Sequence, residues 1–134
     1  MTTANAVISR LDRDRLLPLI GTNWSPTWPM AQLRRLLDAA RIVRPQKMPA
    51  NIVTMNSRIR LRDPQWETVE SITLVYPHEA GDEPGTLSVT SPMGAALLGT
   101  RLGGEARWIG PRGPRRVIVE EIEFQPEKSG NFDL

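Results

Sequence analysis

His78 is the only histidine among 134 residues, so the chain has one imidazole to offer acid–base or metal chemistry. It stands between Pro77 and Glu79 at the head of an acidic stretch and reads as a solvated side chain. There is no cysteine, which excludes disulfides, thiolate metal sites and thiol nucleophiles. The densest acidic group is Glu120, Glu121 and Glu123. Glu121 and Glu123 fall on one side of a strand and read as its solvent side. Val117, Val119 and Glu121 share that same parity, which points to a bulge or a sheet edge. The glycines at 99, 103, 104, 110 and 113 belong to no GxxxxGK[ST] motif and to no GxGxxG after a strand, so they read as turns. No catalytic residue, metal site or cofactor is expected, and the chain reads as a non-enzyme.

Charge supplies the next signal. The net charge is +2. Residues 1–48 carry 8 basic and 3 acidic side chains, net +5, and residues 49–134 carry 9 and 12, net −3. Arg34, Arg35 and Arg41 stand out in the basic part. They read either as a surface steered toward something negative or as the solvated face of a helix. A weak, salt-sensitive contact with nucleic-acid phosphates is compatible with them.

The elements that position these residues follow from pattern. Ser9 or Asp12 can cap a short helix through residue 20. Its Leu11, Arg15 and Leu19 share a face, with Leu16 and Ile20 beside it and Pro18 limiting its length. GTNWSPTWP, residues 21–29, is a loop. Trp24 and Trp28 in it are either partner anchors or cover for the hairpin, and packing is the commoner fate of a lone tryptophan. Thr27 and Pro29 start a second helix with Leu33, Leu36, Leu37 and Ala40 at helical spacing. Residues 44–49 (RPQKMP) are a linker. Strands are expected at 52–55, 57–62, 68–76, 87–89, 105–109 and 115–124. Ser91 caps one short helix, with Pro92 at its first position and Gly99 ending it. The expected fold class is α+β: a short antiparallel helical hairpin, then a predominantly antiparallel sheet with one short helix laid on it. The boundaries are an arm and linker at 1–48, a body at 49–126 and a tail at 127–134. No segment is apolar enough to span a bilayer. The N-terminus has no signal-peptide pattern, and a cytoplasmic monomer is expected.

Four stretches occur in a specific order: VTMNSRIRL (53–61), TLVYP (73–77), LSVTSPMGAALLGTRLGG (87–104) and VEEIEFQPE (119–127). Together they resemble the C-terminal domain of the bacterial GreA/GreB transcript-cleavage factors. MPxxxVTMNS, SPxGAALLG and QPExxG resemble more narrowly the Gre-like regulators of nucleoside diphosphate kinase. The resemblance takes in nearly the whole chain. It implies an FKBP-like body behind a helical arm and RNA polymerase as partner, docked at the rim of the secondary channel. The docking loop falls on Ser91, Pro92 and Met93. Read from the residues alone, Ser91 and Pro92 cap a helix while Met93 and Leu97 fill the core.

The chain departs from the cleavage factors at the arm. Those factors carry paired acids at the hairpin tip, where oxygen ligands hold a catalytic Mg²⁺. Residues 21–29 contain no Asp or Glu. A second helix of about 13 residues reaches only ~20 Å. The expectation is therefore a polymerase binder that competes with Gre factors without stimulating cleavage. Nucleoside diphosphate kinase is a possible direct partner. Prolyl isomerisation is disfavoured: it needs an aromatic-lined pocket, and of seven aromatics Trp24 and Trp28 lie in the tip loop and Phe132 in the tail.

Overall fold

Each helix begins at a hydroxyl that satisfies a free amide. A computed structural model describes residues 6–20, 27–132 and 134; the tip loop at 21–26, with Trp24, lies outside the described residues. Strand β1 (Val7–Ser9) runs directly into helix α1 (Arg10–Ile20). Ser9 Oγ accepts the Asp12 amide at 3.1 Å, so Ser9 is the cap. Of the expected residues Leu16 and Ile20 are buried, and Asp12 joins them, while Leu11 and Leu19 are half-buried and Arg15 is exposed. Pro18 sits on the exposed side and the helix continues two residues past it. Thr27 caps α2 (Trp28–Ala39), and Pro29 occupies its first turn. Leu33, Leu36 and Leu37 form its buried stripe.

After α2 the chain enters β2 (Arg41–Val43), which pairs in parallel with β1, Val7 opposite Arg41. Neither strand was expected. A parallel pair needs a crossover between its strands. Here the helical hairpin is that crossover, so the pair ties the two ends of the arm together. Residues 45–47 of the expected linker form one 3-10 turn and Met48 is buried.

The body is a five-stranded sheet in the order β5-β4-β3-β7-β6. Its strands are β3 (Arg58–Asp63), β4 (Thr68–Val75), β5 (Thr86–Ser88), β6 (Glu105–Gly110) and β7 (Gly113–Phe124). All pairings are antiparallel except β4 with β5, which is parallel. The register of β3 against β7 shifts twice, so Leu61 faces Val119 while Arg60 faces Glu121. These bulges resolve the parity conflict noted above. The strand expected at 52–55 does not form. Residue 52 makes one isolated bridge to Arg101, Val53 bonds Thr100 and Gly99, and the chain then turns through Asn56 at φ 65°.

Helix α3 (Pro92–Leu97) lies between the sheet and α2. Ile59, Leu61, Leu74, Val117 and Val119 from the sheet meet Ala95 and Leu97 from α3 and Leu16, Leu33 and Leu36 from the arm in one buried cluster. Arm and body thus share a core rather than meeting at a polar hinge. Gly94 is required by this packing, because a Cβ there would collide with the Ser88 carbonyl.

Candidate partner-binding site

Ser91, Pro92 and Met93 come together at the start of α3. Ser91 Oγ accepts the Gly94 amide at 3.0 Å and donates to the Ser88 carbonyl at 2.7 Å. The cap is therefore itself anchored to the end of β5. Pro92 is exposed, Met93 is half-buried against the core, and residues 94–100 are buried. The tripeptide has one face toward solvent and one toward the core, so Met93 fills the core only in part.

Met93 opens onto a cleft of about 300 Å³ that it shares with Leu61, Trp66, Trp108, Arg115 and Val117. Trp66 is 62 % exposed at its edge and Trp108 only 9 %. Arg115 lies with its guanidinium carbon 5.7 Å from the Trp108 ring centroid and donates from Nη2 to Asp63 Oδ2 at 2.6 Å. Asp63 in turn accepts the Gln65 and Trp66 amides on Oδ1. Burial opposes the charged form of Asp63, but Arg115 and the two amides outweigh it and hold its carboxyl below the ordinary value. Sequence reasoning missed this cluster. The Asp63-Pro64 turn was legible, but Trp66, Trp108 and Arg115 come from separate elements and no local pattern links them.

The three arginines of the arm do not form one cluster of contacts. Arg34 donates to the Ile20 carbonyl at 3.1 Å and so closes the end of α1, while Arg35 bonds Gln32 Oε1 at 2.8 Å. Both are exposed on α2, and Arg41 is exposed on β2. Trp28 is 39 % exposed and faces a second cleft of about 590 Å³ with Ile109, Pro114 and Trp108, at the β6 and β7 hairpin.

The acidic residues divide between two settings. Glu120, Glu121 and Glu123 are paired with Arg58, Arg60 and Arg62 on the outer face of the sheet. His78 is exposed, stacked against Tyr76 at 6.2 Å. Among the described residues no group of three or more His, Asp or Glu is placed to hold a metal ion. No helix among the described residues is long and apolar enough to cross a membrane.

Asp12, like Asp63, departs from this exposed pattern. It is 2 % exposed at the joint of arm and body. It accepts the Met55 amide at 3.1 Å and the Tyr76 hydroxyl at 3.4 Å. Burial is the main reason its pKa is pushed up to about 7, the nearby Glu127 adds to it, and the Met55 amide, Arg15 and Tyr76 act the other way. Burial also raises Glu127, whose Oε1 accepts the Thr54 hydroxyl at 2.8 Å. Sequence reasoning considered Asp12 only as a cap.

The profile of the family described as "Transcription elongation factor, GreA/GreB, C-term" matches residues 48–124. Over its full length the chain is 38 % identical to the whole of the "Regulator of nucleoside diphosphate kinase" of Escherichia coli strain K12. The "Transcription elongation factor GreA" of Syntrophobacter fumaroxidans is 38 % identical over 64 % of this chain and 55 % of its own. Among solved structures, the "Prokaryotic transcription elongation factor GreA/GreB from Nitrosomonas europaea" superposes with a TM-score of 0.74 at 35 % identity, over 90 % of this chain and 98 % of that one. With the family's body spanning more than half of the chain, and the arm included in the full-length likeness, this protein belongs to the GreA/GreB family.

Proposed function

We propose that the chain is a Gre-like regulator that docks on RNA polymerase at the rim of the secondary channel and acts by occupancy. It competes there with Gre factors and does not stimulate transcript cleavage. One observation carries the docking: a capped helix start that offers exposed Pro92 and half-buried Met93 next to a rigid core. Such a tripeptide combines a fixed backbone with an adaptable apolar side chain. Arg34, Arg35 and Arg41 then steer the arm toward an acidic channel.

The lack of cleavage rests on composition and reach. Residues 21–29 hold no carboxylate for a second metal ion. Helix α2 has 12 residues, about 18 Å at 1.5 Å each. The test is polymerase binding in competition with a Gre factor, with cleavage of a backtracked transcript measured in parallel. Competition without cleavage is expected, and efficient cleavage overturns the reading. Pro92→Ala combined with Met93→Asp is expected to weaken binding at least tenfold while the fold is kept. Melting of the domain instead would place Met93 wholly in the core and remove the docking assignment.

The name of the E. coli relative favours a second reading, direct binding of nucleoside diphosphate kinase. Binding assays with purified kinase and purified polymerase separate the two. Retention of the kinase alone supports the second.

A further inference from the structure

The hairpin of β6 and β7 carries a charge arrangement that the docking tripeptide does not use. Residues 105–116 hold four arginines and one acid, net +3. Arg107 and Arg116 stand directly opposite each other in the register of β6 against β7. Like charges at such a position repel. Glu105 is the acid that both reach: Arg107 Nε donates to its Oε1, and Arg116 Nη1 to its Oε2 at 3.4 Å. One carboxylate thus serves two guanidiniums. Arg115 is neutralised separately by Asp63, and Arg112 in the turn is exposed with no ion-pair partner among the described residues. The hairpin keeps an excess of positive charge, and an anion placed at the arginine pair relieves its repulsion.

The next step along the hairpin is apolar. Ile109 faces Pro114, two residues and about 7 Å beyond the arginine pair. Ile109 is exposed, and Trp28 of the arm lines the same cleft of about 590 Å³ together with Arg107 and Arg116. No acidic residue is among those lining it. The side-chain amide of Gln65, also on its wall, offers a donor and an acceptor. The volume suits one nucleobase with its sugar. Because Arg107, Ile109, Pro114 and Arg116 are all exposed, the cleft is an open trough, better suited to a passing strand than to an enclosed small molecule. An acidic peptide would satisfy the arginines but bring no flat face to Trp28. A base brings that face, and its phosphate lies one step away, where the arginines are. A duplex keeps its bases stacked inside and cannot offer one.

We propose that this cleft binds single-stranded nucleic acid, with one base against Trp28 and Ile109 and the adjoining phosphate between Arg107 and Arg116. The site is separate from the docking tripeptide and from Arg34, Arg35 and Arg41, none of which lines it, and it does not depend on the docking reading.

Fluorescence anisotropy of the full chain with labelled single-stranded oligonucleotides, RNA in one arm and DNA in the other, tests it. A duplex of the same sequence and polyglutamate serve as competitors. The variants are Trp28→Ala, Trp28→Phe, and Arg107→Gln combined with Arg116→Gln. Arg58→Gln combined with Arg60→Gln removes the same charge from the outer face of the sheet, away from the cleft, and is the control. Thermal melts establish that each variant is folded. Binding that weakens with salt is expected for RNA, DNA or both. Loss of about tenfold is expected for Trp28→Ala and for the Arg107 and Arg116 pair, with little change for Trp28→Phe and for the control. Should Trp28→Ala unfold, the arginine pair against its control decides. No binding of either single strand overturns the proposal. So does an equal loss in the control pair, or displacement of the strand by duplex or polyglutamate as readily as by unlabelled strand.

Discussion

The carboxylate of Asp12, on the first helix of the arm, accepts the amide of Met55 in the body at 3.1 Å, across 43 residues of sequence. The bond is buried, and Tyr76 closes it from the sheet side at 3.4 Å. An amide in the interior needs an acceptor, and here the arm provides it. Arm and body are thus registered by buried hydrogen bonds of Asp12 to Met55 and Tyr76 beside their shared apolar core.

Protonation of Asp12 couples this joint to pH. Its pKa rises from an ordinary 3.8 to about 7 in the folded chain. The folded state therefore holds the proton more tightly, and stability falls as pH rises from about 4 to about 7. Glu127 is raised as well and contributes with the same sign. At about 1.4 kcal/mol per tenfold change in proton affinity, the Asp12 contribution is bounded near ~4 kcal/mol. Asp12→Asn keeps an oxygen for the Met55 amide and is expected to flatten this slope. Urea unfolding at pH 5 and pH 7.5 reads it directly; an unchanged slope in the variant would assign the effect elsewhere.

Asp63 behaves oppositely. Its folded pKa is lowered, so its contribution is present above the ordinary carboxylate range and is lost as pH falls through the folded value. Arg115→Met removes the partner of a nearly buried carboxylate. The half-exposed position of Arg115 limits the cost to about 1–2 kcal/mol at neutral pH. The variant should then lose less stability than the wild type on acidification below pH 4, which acid titration followed by circular dichroism checks.

Gly94 tests the packing of α3. Alanine normally favours a helix over glycine by about 1 kcal/mol. Here its methyl would strike the Ser88 carbonyl. Gly94→Ala is expected to destabilise by about 2–4 kcal/mol, with polymerase binding reduced because Ser91 and Pro92 shift with the cap. Calorimetric melting measures the first part, and a stabilised variant would contradict the packing described.

Steering by the arm predicts a salt signature. Arg35→Glu with Arg41→Glu leaves the Arg34 bond to Ile20 intact. The pair should slow association with polymerase several-fold at low salt and converge with the wild type near 0.5 M salt. Stopped-flow association at two salt concentrations checks it. Equal slowing at both would point to direct contacts instead.

Much of the fold was legible in the residues because its signals are local. Thr27 and Ser91 cap their helices as read, and Ser9 was one of two candidates for α1, since a cap is decided within four residues of backbone. The bulge near Glu121 was visible as a parity conflict within one strand. The order of the Gre-like stretches implied the sheet and the short helix that starts after Ser91.

The rest depended on which distant residues meet. Strands β1 and β2 are three residues each, too short to carry a period, and they exist because the arm brings residue 7 beside residue 41. Asp12 looks polar and therefore exposed; only the seating of α1 against Met55 and Tyr76 buries it and raises its proton affinity. Trp66, Met93, Trp108 and Arg115 lie on different elements, and only sheet order together with the seating of α3 on the sheet makes them walls of one cleft. Helix starts, the strands of the body sheet and the family were legible in the sequence itself, through short-range hydrogen bonding, side-chain alternation and the order of its motifs. Burial, proton affinity and the cleft were decided by the tertiary structure, because each depends on the dielectric and contacts that remote segments supply.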